Sequence, residues 1–213
     1  MRAKRSVVLV LVVLALTVVL SPAALADALY IPLVTRGYRT RVVLRHDNDT
    51  PSWVWTGAEA GSQAGVIYGV SSPLALQTVE AGFEFSEDMP RLVAQAHVYR
   101  VTATSPTLQL DLVASSDQVE FPEPGHAFTG MALVEFPFGA PVPVEGQIML
   151  AIEYRAGEYG STPGLLMDSQ TEIPQGIAWV KPLASEPWAE HYDFWDDPEG
   201  KGYLMIRGYG EPL

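Results

Sequence analysis

The chain is expected to fold as an all-β protein, a single antiparallel β-sandwich of the jelly-roll type, and three observations predict it. Apolar and polar residues alternate with period two in run after run, as in strands with one face on a core and one in water. Gly-, Pro- and Ser-rich clusters (SSP, EDMP, TSP, PEPG, PVPVEG and STPG) separate those runs at fairly even spacing. After the first 20 residues, no stretch holds helical periodicity for three turns.

The N-terminus comes first. MRAKR supplies three positive charges, SVVLVLVVLALTVVL (Ser6 to Leu20) is an apolar run of 15 residues, and SPAALA places small residues at Ala24 and Ala26. This is the pattern of a secretory signal peptide over 1–26, cleaved after Ala26. The rival is an uncleaved membrane anchor, since the apolar run approaches the roughly 20 residues a span needs; Pro22 and the A-x-A site favour cleavage. Residues 27–37 form an N-terminal extension and 38–213 the sandwich domain. The first strand candidate is YRTRVVLRH (38–46), followed by AGVIYGV (64–70). In VEAGFEF (79–85), Val79, Ala81, Phe83 and Phe85 face away from Glu80 and Glu84. LVAQAHVYRVTA (92–103) follows, then LQLDL (108–112) with Leu108, Leu110 and Leu112 on one face, and FTGMALVEF (128–136). QIMLAIEY (147–154) sets Ile148, Leu150, Ile152 and Tyr154 inward; GLLMD (164–168), GIAWVK (176–181) and GYLMIRG (202–208) complete the series.

Composition narrows the class of function. The 187 residues left after cleavage suit one domain, which at that size buries roughly 70% of its unfolded surface and needs no staples. The chain contains no cysteine, which points to bacterial export, with the product secreted or at the cell surface, rather than to a disulfide-built eukaryotic secreted protein. Loss of Arg2, Lys4 and Arg5 with the leader leaves 10 of 13 basic residues against 25 acidic ones, a net charge near −15. Nucleic-acid binding is set aside, and so is membrane binding once the leader is gone, because both rest on basic side chains meeting phosphates.

Catalytic signatures are missing: no cysteine, no G-x-S-x-G and no H-E-x-x-H, and His46, His97, His126 and His191 have no ligand-type spacing. Glu135 and Glu153 are the carboxylates that a glycoside hydrolase could pair across neighbouring strands. The alternation, however, turns Glu153 away from the apolar face. The expected role is therefore non-catalytic, with a glycan hydrolase as the minor alternative.

Calcium takes six to eight oxygen ligands, which acidic loops can supply. HDNDT (46–50) offers Asp47 and Asp49, and DFWDDPEG (193–200) offers Asp193, Asp196 and Asp197. In so acidic a chain the competing reading is a pair of solvated turns, and HYDFWDDPEGKGY (191–203) reads best as the turn before the last strand. Carbohydrate recognition needs exposed aromatic faces. Trp53 and Trp55 share a face in a strand, and Trp188 and Trp195 flank the acidic segment; the competing reading is that tryptophans fill the core. Arg36, Arg39, Arg41 and Arg45 cluster near the first strand, either as a docking face for an acidic partner or a second copy, or as charges that protect a strand edge.

The tract LYIPLVTRG (29–37) resembles apolar tracts that follow the leader in secreted proteins of some bacteria. Arg45, His46, Asp47, Trp53, Trp55, Gly57 and Gly61, with Gly202, Met205, Ile206 and Arg207 at the end, resemble a loosely defined group of exported bacterial β-sandwich domains, similar to carbohydrate-binding modules. The resemblance implies a binding or adhesion module whose partner is a polysaccharide or surface glycan, with no required cofactor and no catalytic residues to carry over. The alternative is a structural cell-surface component that self-associates and takes no small ligand.

Overall fold

The computed structural model describes residues 41–105, 107–170, 174–191 and 202–213. The leader (1–26), the extension (27–37), Arg36, Arg39, Trp195 and the acidic stretch with Asp193, Asp196 and Asp197 lie outside the described residues. Within them are eleven strands, all paired antiparallel and all joined in one sheet. They are β1 (Val42–Leu44), β2 (Pro51–Trp55), β3 (Gln63–Phe85), β4 (Leu92–Ala103), β5 (Gln109–Ser115), β6 (Val119–Phe121), β7 (Gly130–Tyr154), β8 (Gly164–Asp168), β9 (Ala178–Lys181), β10 (Ala189–Glu190) and β11 (Ile206–Pro212). The expected all-β antiparallel class is what the structure shows.

Two long strands organise it. β3 and β7 pair from Gln63↔Glu153 to Phe85↔Gly130, with register shifts between Val70 and Leu74 and between Leu76 and Thr78. Irregularities of this kind bend a strand and sharpen its twist. On one side of the shifts, β3 and β7 are flanked by β9–β10 and by β4, which carries β5 and β6. On the other side they are flanked by β11–β1 and by β8–β2. The two parts are the layers of the sandwich, and their inner faces meet. The Phe83 and Tyr154 rings touch edge-on at 6.2 Å, and the Tyr68 hydroxyl donates across the core to the Ile206 carbonyl.

The core follows the alternation. Ile148, Leu150, Ile152 and Tyr154 face inward from β7, and Val79, Ala81, Phe83 and Phe85 from β3, all at most 2% exposed. The strand boundaries differ from expectation. AGVIYGV and VEAGFEF are one strand, as are FTGMALVEF and QIMLAIEY, because the SSP and PVPVEG clusters lie within strands as they pass between layers. Residues 130–146 of β7 pair only with β3. Pro137, Pro141 and Pro143 are thereby accommodated, since a strand with one unpaired side can forgo amide donors.

Candidate functional site

The HDNDT loop leaves β1 and is shaped by its own side chains. Asp47 Oδ1 accepts from the Asp49 amide at 3.2 Å, Asn48 Oδ1 accepts from the Thr50 amide at 2.9 Å, and Asp49 takes a φ of 63°. Asp tolerates that left-handed conformation better than most side chains. The loop folds over Arg207 of β11, which is 5% exposed. Arg207 Nε donates to Asp47 Oδ2 at 2.8 Å, its Nη2 donates to Asp47 Oδ1 and to Asp49 Oδ1, and its Nη1 reaches Glu80 Oε1 at 3.4 Å. Asp49 also accepts from Arg45, while Tyr209 donates to Glu80 Oε1 at 2.8 Å and the Arg41 guanidinium sits 4.3 Å over the Tyr209 ring. Burial opposes the charge on Arg207, but hydrogen bonding to Asp47 and the Asp47 and Asp49 charges hold its pKa above the usual arginine value. The hydrogen bond from Arg45 is the main force keeping the Asp49 carboxyl below its ordinary range.

Asp47 and Asp49, the expected calcium ligands of this loop, are both engaged by arginine. Their carboxylates converge on guanidinium groups, which occupy the place a cation would need. Among the described residues no group of three or more His, Cys, Asp or Glu is arranged to hold a metal ion. A carboxylate the sequence did not single out, Asp168, ties the same end together. It is fully buried and accepts from the amides of Asn48 (3.0 Å), Gln170 (3.1 Å) and Tyr203 (2.8 Å) and from Gln170 Nε2 (2.7 Å). His46 completes this end, stacked between Tyr68 at 4.7 Å and Tyr203 at 5.3 Å.

The tryptophans separate. Trp55 is 2% exposed and packs edge-on against Tyr154 at 6.1 Å, so its assignment to a ligand platform is corrected: it is core. Trp53, two residues away in the middle of β2, is 40% exposed. The shared strand face holds, but the sandwich covers only one end of it. Trp188 is half-buried and meets the Tyr99 ring edge-on at 6.5 Å.

Around Tyr99 and Trp188 the outer face of the first layer gathers an arrangement the sequence did not announce. Strand register aligns Lys181, Gln63, Glu153 and Gln95 in one row across β9, β3, β7 and β4. The next row is Trp179, Gly65, Ala151, His97 and Ser115, and the third brings Ile67, Met149, Tyr99 and Leu112 together. Ile67, Met149, Ala151 and Trp179 form a small buried cluster on this face, with Tyr99 and Trp188 packed against it. Its polar margin is bonded internally. The Tyr99 hydroxyl donates to Gln63 Oε1 at 3.1 Å, His97 lies 2.6 Å from Glu153 Oε2 through Nε2 and 2.8 Å from Ser115 Oγ through Nδ1, and Arg155 donates to Glu153 Oε1 at 2.7 Å. Burial lowers the His97 pKa, against the opposite pull of Glu153, and burial pushes Tyr99 up to about 12. Glu153 does face away from the core, as the alternation requires, but it is held by His97 and Arg155. Glu135 lies opposite Glu80 in the other layer, so the two carboxylates suggested for glycoside hydrolysis stand in different layers. Two sequence signals bear on this face: the outward Glu153 of QIMLAIEY and, by the same alternation, Gln95, His97 and Tyr99 of LVAQAHVYRVTA.

No protein-family model matches the chain, and no curated protein matches it. Among solved structures it is similar to the cysteine protease and lectin-like domains of Cwp84, a surface layer associated protein of Clostridium difficile. The identity is 11% and the TM-score 0.45, over 73% of this chain and 33% of that one. A second structure, of the clostridial cysteine protease Cwp84 after propeptide cleavage, is 13% identical with a TM-score of 0.44, over 74% of this chain and 38% of that one. The chain thus spans about a third of the length of the first of these structures and 38% of the second.

Proposed function

We propose that this chain is an exported binding module whose partner is a polysaccharide or surface glycan, held on the outer face of the first layer. One observation carries the reading: the half-buried Tyr99 and Trp188 rings stand beside the polar row Lys181, Gln63 and Glu153. A sugar has apolar faces that pack on aromatic rings and hydroxyls that pair with amide, carboxylate and ammonium groups, so it needs both kinds of surface together. The test is depletion of the purified protein by a panel of insoluble polysaccharides, with calcium and with EDTA. One polysaccharide is expected to deplete it, and Tyr99→Ala or Trp188→Ala to weaken binding about tenfold, equivalent to roughly 1.4 kcal/mol. Depletion by none of the panel, or undiminished depletion of a folded double variant, rules the site out. Loss of depletion in EDTA would make binding cation-dependent and return the Asp-rich loops as candidate metal sites.

The structural-component reading keeps one specific support, the edge strand β5. It pairs only with β4, and Leu112 and Val113 are 59% and 40% exposed. Arg41 and Arg45, by contrast, are engaged within the molecule by Tyr209 and Asp49.

A further inference from the structure

Beyond glycan binding, and independently of it, the geometry points to Ser115 as a nucleophile activated by His97 and Glu153, able to take the acyl group of an O-acyl ester. The three side chains come from three adjacent strands: Ser115 ends β5, His97 lies directly opposite it on β4, and Glu153 is on β7. No sequence motif signals the trio, because the residues are far apart in the chain and only strand register assembles them.

The hydrogen bonds set the roles. An ionised carboxylate only accepts, so the 2.6 Å contact with Glu153 Oε2 requires the proton on His97 Nε2. Nδ1 then carries a free lone pair, and at 2.8 Å it accepts from the Ser115 hydroxyl. This is the tautomer a general base needs, with a carboxylate placed to stabilise the imidazolium that forms. Burial, by lowering the His97 pKa, keeps the ring neutral near pH 7. His97 itself is 6% exposed, whereas Ser115 is exposed, so the nucleophile alone is open to a reagent.

The reaction balances with water as the second reactant. Ser115 Oγ bonds to the acyl carbon as its proton passes to His97 Nδ1. Collapse of the tetrahedral adduct expels the alcohol oxygen, which leaves with that proton. Water then attacks the acyl-Ser115, giving a proton to Nδ1, and the carboxylic acid departs as Oγ regains it. The site also limits the substrate. The amide of Ser116, next along the chain, is bonded to the Ala96 carbonyl at 2.9 Å and is not free to meet the acyl oxygen. Esters with good leaving groups are therefore the fitting class, and amides are not.

The experiment is covalent labelling of the full chain with a fluorophosphonate, with the adduct located by peptide mass mapping and p-nitrophenyl acetate hydrolysis followed in parallel. A Ser115 adduct is expected, formed about tenfold or more slowly in His97→Gln and Glu153→Gln. Glu153→Asp should restore part of the rate. Ser115→Ala, a change at an exposed position, should abolish both readouts while leaving the melting temperature unchanged. If His97→Gln fails to fold, the near-isosteric Glu153→Gln carries the comparison. Absence of a Ser115 adduct in excess reagent overturns the proposal, as does an adduct formed equally fast in the folded variants.

Discussion

Arg207 shows how much one side chain can organise. Asp47 and Arg207 are both buried, and the Asp47 side chain is 0% exposed. Replacing Arg207 by Leu would leave a carboxylate in the protein interior without its counter-charge, so a loss of about 3–5 kcal/mol is expected in urea unfolding. Replacing both, Asp47→Asn with Arg207→Leu, should recover part of that loss, because the uncompensated charge is gone; equal losses in the single and double variants would contradict the pairing. Gly202 makes a second case at this scale. A Cβ there would lie 2.1 Å from the Asp168 carbonyl oxygen, so Gly202→Ala must shift backbone and should cost about 1–3 kcal/mol. An unchanged melting temperature for that variant would contradict so close an approach of the two backbones. Asp47 and Arg207 both stood out in the sequence, but their pairing did not, since a guanidinium and a calcium ion attract the same acidic loop.

At the scale of elements, the edge of β5 is the exposed weakness of the sheet. Gln109–Ser115 carries neither proline nor lysine, and Leu112 and Val113 face solvent beside unpaired backbone. Such an edge can pair with another chain. Concentrated protein is expected to show dimers or larger species by light scattering, and Leu112→Lys with Val113→Lys to remove them. Monodisperse monomer in the parent chain at every concentration would dismiss the edge as an interface. The free flank of β7 over 130–146, by comparison, is interrupted by three prolines. Most strands could be read from their alternation: the inward residues of VEAGFEF and QIMLAIEY face the core as expected. What alternation could not reveal was that these runs continue into their neighbours, because SSP and PVPVEG resemble turns in sequence and serve as bends within strands.

At the scale of the whole molecule, two buried histidines, His97 and His191, and the half-buried His46 make stability depend on pH. Burial lowers the pKa of His46, His97 and His191, the last to about 4 from 6.5. A histidine whose folded pKa is depressed contributes nothing against folding above its unfolded value, where both states are neutral. As pH falls from about 6.5 towards the folded pKa, the unfolded chain takes the proton first and stability is lost. His191, 1% exposed, accounts for a loss on the order of 3 kcal/mol across that window. The melting temperature should therefore decline between about pH 6.5 and 4, before the depressed carboxyl of Asp49 is protonated below 3.8. A folded His191→Gln variant should show a shallower decline; an unaltered slope would assign the effect to other groups.

Local pattern alone determined the all-β class, the antiparallel pairing implied by half-buried alternation and the inward residues of the long strands. Each of these is a property of consecutive residues, because side-chain direction repeats every second position of a strand. Only the tertiary structure decided that Trp55 is core while Trp53 is exposed, that Asp47 and Asp49 hold arginine, and that Ser115, His97 and Glu153 meet. Those facts depend on register between strands distant in sequence, and a shift of one residue turns every side chain to the opposite face.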